Sequence, residues 1–385
     1  MKKNPLLQLE LLGQSIWLDS LSRPMLTSGE LKILIAEDGL SGVTSNPAIF
    51  EKAIAESTDY DRAIRALALA GKGVEHIYEA LVVEDIRIAA DQLRQIYDRT
   101  DGRDGFISLE VSPHLAHDTR GTLDEARKLW VAVNRPNVFI KVPATAEGLP
   151  AIRELISDGM NINITLLFGL SRYRQVVESY VAGLEDRLTR GKPIDHVASV
   201  ASFFLSRIDV MVDPMLEKRM KAGGRNGQLA EYLHGEVAIS CAKAAFRIFK
   251  EIFRTASFSN LVRRGGRIQR LLWASTGTKN PAYSDVKYVE PLIGQETINT
   301  IPMETLLAYR DHGKPASRLG RGLAKAEEVL KCLPEVGINL DRVTQALEDE
   351  GVDKFVKPYD LLMKRLSEKR AAFLRERRKG TVSRN

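Results

Sequence analysis

Short apolar runs rich in Val, Ile, Leu, Phe and Thr recur along this chain, and between them apolar residues return at helical spacing. The runs lie near residues 15–20 (SIWLDS), 42–46 (GVTSN), 106–111 (FISLEV), 138–143 (VFIKVP), 161–167 (NINITLL), 197–203 (VASVASF), 268–275 (IQRLLWAS) and 286–292 (VKYVEPL). Strand followed by helix, repeated, favours parallel strands, because each crossover must carry the chain back to the same end of the sheet. Eight is the number that closes such a sheet on itself with side chains filling the interior. The pattern predicts an α/β chain folded as a single (β/α)8 TIM barrel with additional helices.

Two intervening stretches, 73–100 and 207–256, are long helical regions, the second broken at AGGRNG (222–227), where a turn is expected. Residues 320–379 read as further helices with Pro334 and Gly337 as breakers, and the last six residues, GTVSRN, as a frayed end. No repeat or linker divides the chain. Residues 1–385 therefore read as one barrel domain, with a core over about 14–320 and a C-terminal helical extension and basic tail over about 321–385.

Composition changes this picture mainly by exclusion. Of 385 residues, 44% are hydrophobic and 28% charged, as in an ordinary folded chain able to bury a large core. Cys241 and Cys332 lie far apart without metal-ligand or redox spacing, which points to a reducing compartment. Leu6, Leu7, Leu9, Leu11 and Leu12 follow Lys2 and Lys3, but Gln8 and Glu10 interrupt them. No stretch approaches the roughly 20 apolar residues that span a bilayer, so a cytoplasmic protein with no membrane partner is expected. The net charge of +6 belongs to the chain end: residues 364–385 hold nine Lys or Arg against Glu368 and Glu376, a local +7, and everything before sums to −1. That distribution reads as a solvated helix end, and no nucleic-acid partner is expected.

Polar side chains in or at the ends of the strands carry the candidate chemistry, since barrel strands open at their C-terminal ends onto the active-site face. Asp19, Thr44, Asn46, Glu110, Lys141, Asn163, Thr165, Ser202 and Ser275 hold such positions. Lys141, in VFIKVPA, is either a strand-end lysine that snorkels to water or an amine whose pKa burial lowers until it can attack a carbonyl. Asp19 and Glu110 place carboxylates on two other strands. Imine chemistry moves protons at two points, the carbinolamine oxygen and the hydroxyl released as a carbon–carbon bond breaks. Asn163 and Thr165 are two apart and so face one side of a strand, as a polyol or a bound water requires. Asn46, before Pro47, is a turn cap or a sugar ligand. Arg207 after ASFFLS, with Ser275 and Lys279 in WASTGTKN, are the donors available to a phosphate near the last strands.

In this order and at these intervals TSNP, SLEV, FIKVPAT, NITLLF, ASFFLSRID and WASTGTKNP resemble the motifs of the transaldolases, Schiff-base transferases of the non-oxidative pentose phosphate pathway, in their longer bacterial branch. The resemblance runs from Gln14 to Leu306. It implies that Lys141 forms an imine with the ketose donor and that Asp19 deprotonates the donor C4 hydroxyl. It further implies that Glu110, with Thr165 positioning a water, moves protons during imine formation and hydrolysis. Asn46 and Asn163 would hold the dihydroxyacetone hydroxyls, with Thr44 and Ser202 completing the pocket. The implied reaction carries dihydroxyacetone from sedoheptulose 7-phosphate to glyceraldehyde 3-phosphate, giving erythrose 4-phosphate and fructose 6-phosphate, with no metal or organic cofactor. The best-known branch has an arginine two residues after the serine of the seventh strand. Here that position is Gly277, and Arg207, Ser275 and Lys279 are inferred to share the phosphate. A monomer or homodimer is expected.

Three rivals are separable. A fructose 6-phosphate aldolase resembles this chain in fold and lysine but is shorter, releases free dihydroxyacetone to water, and has tyrosine in place of Phe204; an apolar ring there favours transfer. A metal-dependent aldolase needs clustered ligands, and the six histidines offer one close pair, His114 and His117. A lapsed barrel serving as a binding module through its basic tail is opposed by the intact set of Asp19, Glu110 and Lys141.

Overall fold

The computed structural model describes residues 4–55 and 57–382, with side chains to Arg377. Eight parallel strands, β1 (Gln14–Leu18), β2 (Gly42–Val43), β3 (Phe106–Glu110), β4 (Val138–Pro143), β5 (Ile162–Leu167), β6 (Ser199–Phe204), β7 (Arg270–Ala274) and β8 (Thr297–Ile301), pair each with the next, and β8 closes on β1. The strands read as near-continuous apolar runs because both of their faces are covered, one by the barrel interior and one by the helices. Every residue of β4, β5 and β6 is buried.

Seven strands fall on the predicted runs, but the eighth does not. Residues 286–292 form turns and the 3-10 helix Glu290–Leu292, and the strand that closes the barrel is Thr297–Ile301. Pro291 has no N–H to give to a ladder. Val286, Tyr288, Val289 and Leu292 are apolar because they pack as a buried loop. The true strand, TINTI, was masked by its polar residues, with Thr300 facing the interior, Thr297 and Asn299 facing outward, and all three buried. The expected turn at 222–227 is also narrower: one helix ends at Ala222, Gly223 takes φ 71°, and the next begins at Gly224. A further interruption at 234–236 was not foreseen; it turns on Gly235 at φ 74°.

Trp17 of β1 sits inside the barrel against Phe106 and Phe139, with ring centroids 6.4 and 6.1 Å away. It lies over Gly42, where an added Cβ would come within 2.4 Å of the indole. Either the ring or a two-residue strand would have to move. Gly42→Ala is therefore expected to lower unfolding free energy by about 3 kcal/mol, read from the urea midpoint at unchanged slope.

The helix Leu340–Val382 runs past the place where fraying was expected, through residues 380–382; Ser383, Arg384 and Asn385 lie outside the described residues. It packs on the helices Pro47–Ala55, Asp61–Leu69 and Val74–Arg99 and reaches the helix Ser206–Ala222 and β5. Part of the basic tail is not a solvated face. Lys369 Nζ donates to the Ser57 carbonyl (2.8 Å) and to Asp61 Oδ1 (2.7 Å), and Arg370 Nε to the Lys72 carbonyl (2.7 Å). Gly351 lets this helix approach closely, since a Cβ there would meet Leu166 Cδ2 at 3.0 Å. Among the described residues no helix is long and apolar enough to cross a membrane.

Candidate active site

Strand register builds the centre. Glu110 of β3 pairs with Lys141 of β4, and Lys141 with Asn163 of β5. Register partners on parallel strands point to the same face, so three polar side chains stand side by side, Glu110 at the C-terminal end of β3, Lys141 midway along β4 and Asn163 near the start of β5. Lys141 is 4% exposed and Glu110 7%, so the lysine does not snorkel. Its Nζ donates to the Ser45 carbonyl at 3.0 Å and lies 3.1 Å from Glu110 Oε2. The latter is an ion pair without hydrogen-bond geometry: neither Glu110 oxygen has a hydrogen-bond partner. Burial pushes the Glu110 carboxyl above its ordinary pKa of 4.5, the Lys141 charge opposing and the Asp19 charge adding.

Asp19 follows β1, its N–H bonded to the Ile301 carbonyl at 2.9 Å. Thr44 Oγ1 donates to Asp19 Oδ1 (2.8 Å) and lies 2.7 Å from Thr300 Oγ1. Burial raises the Asp19 carboxyl above 3.8, against the pull of Lys141, the Thr44 hydrogen bond, Lys279 and Arg207. Both carboxyls are thus made more basic than free ones, which suits groups that must take up and return protons.

On β5, Asn163 is wholly buried, donating to Ser108 Oγ (2.9 Å) and accepting from Ser202 Oγ (2.6 Å). Thr165 Oγ1 has no partner. Just beyond it the register with β6 shifts and Leu166 takes φ 56°, a left-handed backbone that a leucine rarely adopts. Asn46 is a cap: Oδ1 accepts from the N–H of Ala48 (3.0 Å) and Ile49 (3.1 Å) at the start of the next helix, and the residue also lines the pocket.

The far wall carries the cations. Arg207 is largely buried, its guanidinium 5.6 Å from the Phe204 ring and 5.9 Å from that of Phe355, and its Nη1 has no partner. Burial lowers its pKa, and Asp19 and Glu350 oppose that shift. Ser275 stands at φ 53° with Oγ 2.9 Å from Ser206 Oγ, and Lys279 is exposed at the rim. At Gly277 an added Cβ would lie 3.0 Å from Pro302 Cγ, a physical reason for a side chain to be disfavoured there. Together these walls enclose ≈ 180 Å³, and every candidate side chain lines the space except Glu110 and Asn163, which stand behind Lys141 and Ser202. His114 and His117 turn to separate partners, Asp360 (2.7 Å) and Glu147 (3.1 Å). Among the described residues no group of His, Cys, Asp or Glu is placed to hold a metal ion.

Residues 16–366 match the sequence model of the family described as Transaldolase/Fructose-6-phosphate aldolase. The chain belongs to this transaldolase/fructose-6-phosphate aldolase family. It is 47% identical over 373 residues to a protein named Transaldolase from Trichodesmium erythraeum, covering 96% of this chain and 98% of that one. It is 47% identical over 352 residues to Transaldolase from Thiobacillus denitrificans, covering 91% and 96% respectively. With Transaldolase from Thermobifida fusca the identity is 45% over 370 residues, covering 96% and 99%. Full-length relatives at this level support transaldolase function, a transferase activity. The family match extends through most of the C-terminal helix, well beyond Leu306.

Three elements of this transaldolase-family pocket were not read from the sequence. The Ser45 carbonyl is backbone and leaves no side-chain signal. Thr300 belongs to the strand that was misplaced. Phe355 comes from the C-terminal helix, 4% exposed, with its ring 5.9 Å from Lys141 Nζ; its place over the barrel mouth is a tertiary fact with no local pattern to announce it.

Proposed function

We propose that this chain transfers a dihydroxyacetone unit from sedoheptulose 7-phosphate to glyceraldehyde 3-phosphate through an imine on Lys141. The observation that carries this reading is a buried lysine beside a buried, raised-pKa carboxyl, in a small pocket that also holds a second such carboxyl. In the uncharged form Lys141 Nζ attacks the ketose C2 carbonyl, and Glu110 relays protons through a water on the unpartnered Thr165 hydroxyl as the carbinolamine loses water. Ionised Asp19 takes the C4 hydroxyl proton, the C3–C4 bond breaks, and its electrons pass into the iminium to leave an enamine on Lys141. The aldose product departs; the enamine then adds to the incoming aldehyde, and the same steps in reverse free the lysine. Arg207, with its unused Nη1 donor, serves the phosphate with Ser275 and Lys279. Asn46, Asn163, Thr44 and Ser202 orient the hydroxyls. No step calls for a metal or organic cofactor. Phe204 offers no hydroxyl to seat a hydrolytic water, which favours transfer over release of free dihydroxyacetone. The reading treats residues 1–385 as one working domain in the cytoplasm.

The test is borohydride reduction in the presence of fructose 6-phosphate, with the modified residue mapped by mass spectrometry. A dihydroxyacetone adduct on Lys141 that disappears when erythrose 4-phosphate is added before the reductant supports the proposal. An adduct elsewhere, or none, overturns it.

Phe355 tests the wall contributed by the C-terminal helix. Phe355→Ala is expected to lower stability by about 3 kcal/mol in urea unfolding, the usual scale for removing a buried ring. It should also raise the KM for fructose 6-phosphate and lower kcat together, because the ring stands 5.9 Å both from the Arg207 guanidinium and from Lys141 Nζ.

A further inference from the structure

Residues 275–296 join β7 to β8 with no regular element beyond the 3-10 helix Glu290–Leu292. A connection of that length is held by side chains rather than by a ladder, and after a barrel strand it stands at the active-site end. It brings Lys279 to the rim of the pocket. The turn around Lys279 is tied to itself. Thr278 Oγ1 donates to the Ser284 carbonyl (2.8 Å), the Tyr283 N–H to the Asn280 carbonyl (3.0 Å), and the Ala282 N–H to Asn280 Oδ1 (2.9 Å). Residues 278–284 therefore move as one piece, and whatever holds Tyr283 also places Lys279.

Tyr283 is held by the helix Ser206–Ala222, whose first turn carries Arg207. Asp209 and Asp213 lie one turn apart on one face of that helix, and both are buried. Each divides its oxygens in the same way. Asp213 Oδ1 accepts from the Gly235 N–H (3.0 Å) and Oδ2 from the Tyr283 hydroxyl (2.6 Å). Asp209 Oδ1 accepts from the Ala238 N–H (2.8 Å), and Oδ2 from Lys287 Nζ (3.0 Å) and the Tyr288 hydroxyl (2.8 Å). Lys287 Nζ also lies 3.3 Å from the centre of the Tyr283 ring, and His234 Nδ1 lies 3.3 Å from the Tyr283 hydroxyl. The Oδ1 bonds serve the fold, since they satisfy the turn at 234–236 and the start of the helix Val237–Phe253. The Oδ2 bonds go to a loop that has other supports, Thr276 Oγ1 to the Thr300 carbonyl (2.8 Å) and the exposed pair of Asp285 with His312 (3.0 Å). Burying carboxylates costs desolvation that an apolar contact would not, and what their hydrogen bonds add is direction.

We propose that Asp213 and Asp209 are positioning residues for the phosphate end of the substrate. Acting through Tyr283, and through Lys287 and Tyr288, they fix the 278–284 turn so that Lys279 meets the phosphate together with Arg207. Because Arg207 begins the same helix, both cations are referred to one rigid element. A lysine is a point charge on a flexible stem, so its worth at a phosphate depends on where its backbone is held. Neither carboxylate lines the pocket, and their effect passes through the turn. The inference rests on the reading above that Arg207 and Lys279 take the phosphate.

The test compares the wild-type chain with Tyr283→Phe, which removes the hydroxyl and leaves the Asp213 bond to Gly235 in place. The KM for fructose 6-phosphate should rise about three- to fivefold while kcat stays within about twofold, the scale of one exposed charge contact. Calorimetric titration with inorganic phosphate, which needs no turnover, should show Kd rising by the same factor. In a Lys279→Ala background the same change should leave KM and the phosphate Kd where Lys279→Ala alone puts them, since the contact it works through is gone. Thr278→Val opens the turn without touching either carboxylate and should reproduce the rise in KM; it decides the matter if Tyr283→Phe does not fold. An unchanged KM and phosphate Kd in a folded variant overturn the proposal. So does a fall in kcat at unchanged KM, or a rise in KM that persists in full without Lys279. A wild type that turns over no sugar phosphate yet shows the shift in phosphate Kd would sink the transfer reading and leave this one standing.

Discussion

Lys141→Ala should lower transfer between sugar phosphates by roughly 10⁴-fold or more, because no neighbouring amine replaces the nucleophile and the residual rate falls to what binding alone provides. The adjacent lysine, Lys279, stands exposed at the pocket rim and cannot reach the buried end beside Glu110. The substitution also removes the cation 3.1 Å from Glu110. Burial already raises that carboxyl and the Lys141 charge holds it back, so without the lysine Glu110 moves further up and can sit protonated as a neutral group. The chain should therefore fold, with circular dichroism and cooperative unfolding preserved, while borohydride traps no sugar. A variant that retains a trapped adduct would move the nucleophile elsewhere. One that loses activity only by unfolding would show that Lys141 is structural.

Barrel and centre were legible in the sequence for one reason and obscured for another. In a parallel barrel, interior and exterior are both dry, so a polar residue in an apolar run is conspicuous, and Lys141, Glu110 and Asn163 announced themselves as exceptions. The same logic failed at β8. There the buried Thr and Asn of both faces made the strand look like a loop, while the buried loop at 286–292 looked like a strand. Local pattern cannot distinguish apolar residues packed in a ladder from apolar residues packed without one, and Pro291 was the clue that outweighed the pattern. Phe355 shows the other limit. It lies more than two hundred residues from Lys141 in sequence, and its helix is held over the pocket by long-range packing on three other helices, by the tie of Lys369 to Ser57 and Asp61, and by the close approach allowed at Gly351. Gly277 shows a substitution whose meaning appears only in three dimensions, since Pro302 leaves little room beside it.

Asp19→Asn should separate imine formation from bond cleavage. Asparagine retains an oxygen to accept from Thr44 Oγ1, so the geometry of the β1 end is kept, but it cannot take the C4 hydroxyl proton. Turnover should fall by roughly 10²–10⁴-fold, the usual contribution of a positioned base. Borohydride should then trap the uncleaved fructose 6-phosphate adduct on Lys141 in place of the dihydroxyacetone adduct. If the cleaved adduct still predominates, Asp19 is not the base. The same variant carries a second, opposite effect on stability. The Asp19 carboxyl is held above 3.8 by burial, so the native state binds its proton more tightly than the unfolded chain does. Wild-type stability is fullest below 3.8 and is lost from this residue as pH rises through the native pKa; asparagine does not titrate and loses nothing. Relative to wild type, Asp19→Asn should therefore gain in melting temperature between pH 4 and pH 7, becoming the more stable protein at neutrality while being the poorer catalyst. A gain that shrinks as pH rises would mean that Lys141, Arg207 and Lys279 outweigh burial at this carboxylate, and the basicity assigned to Asp19 would have to be withdrawn.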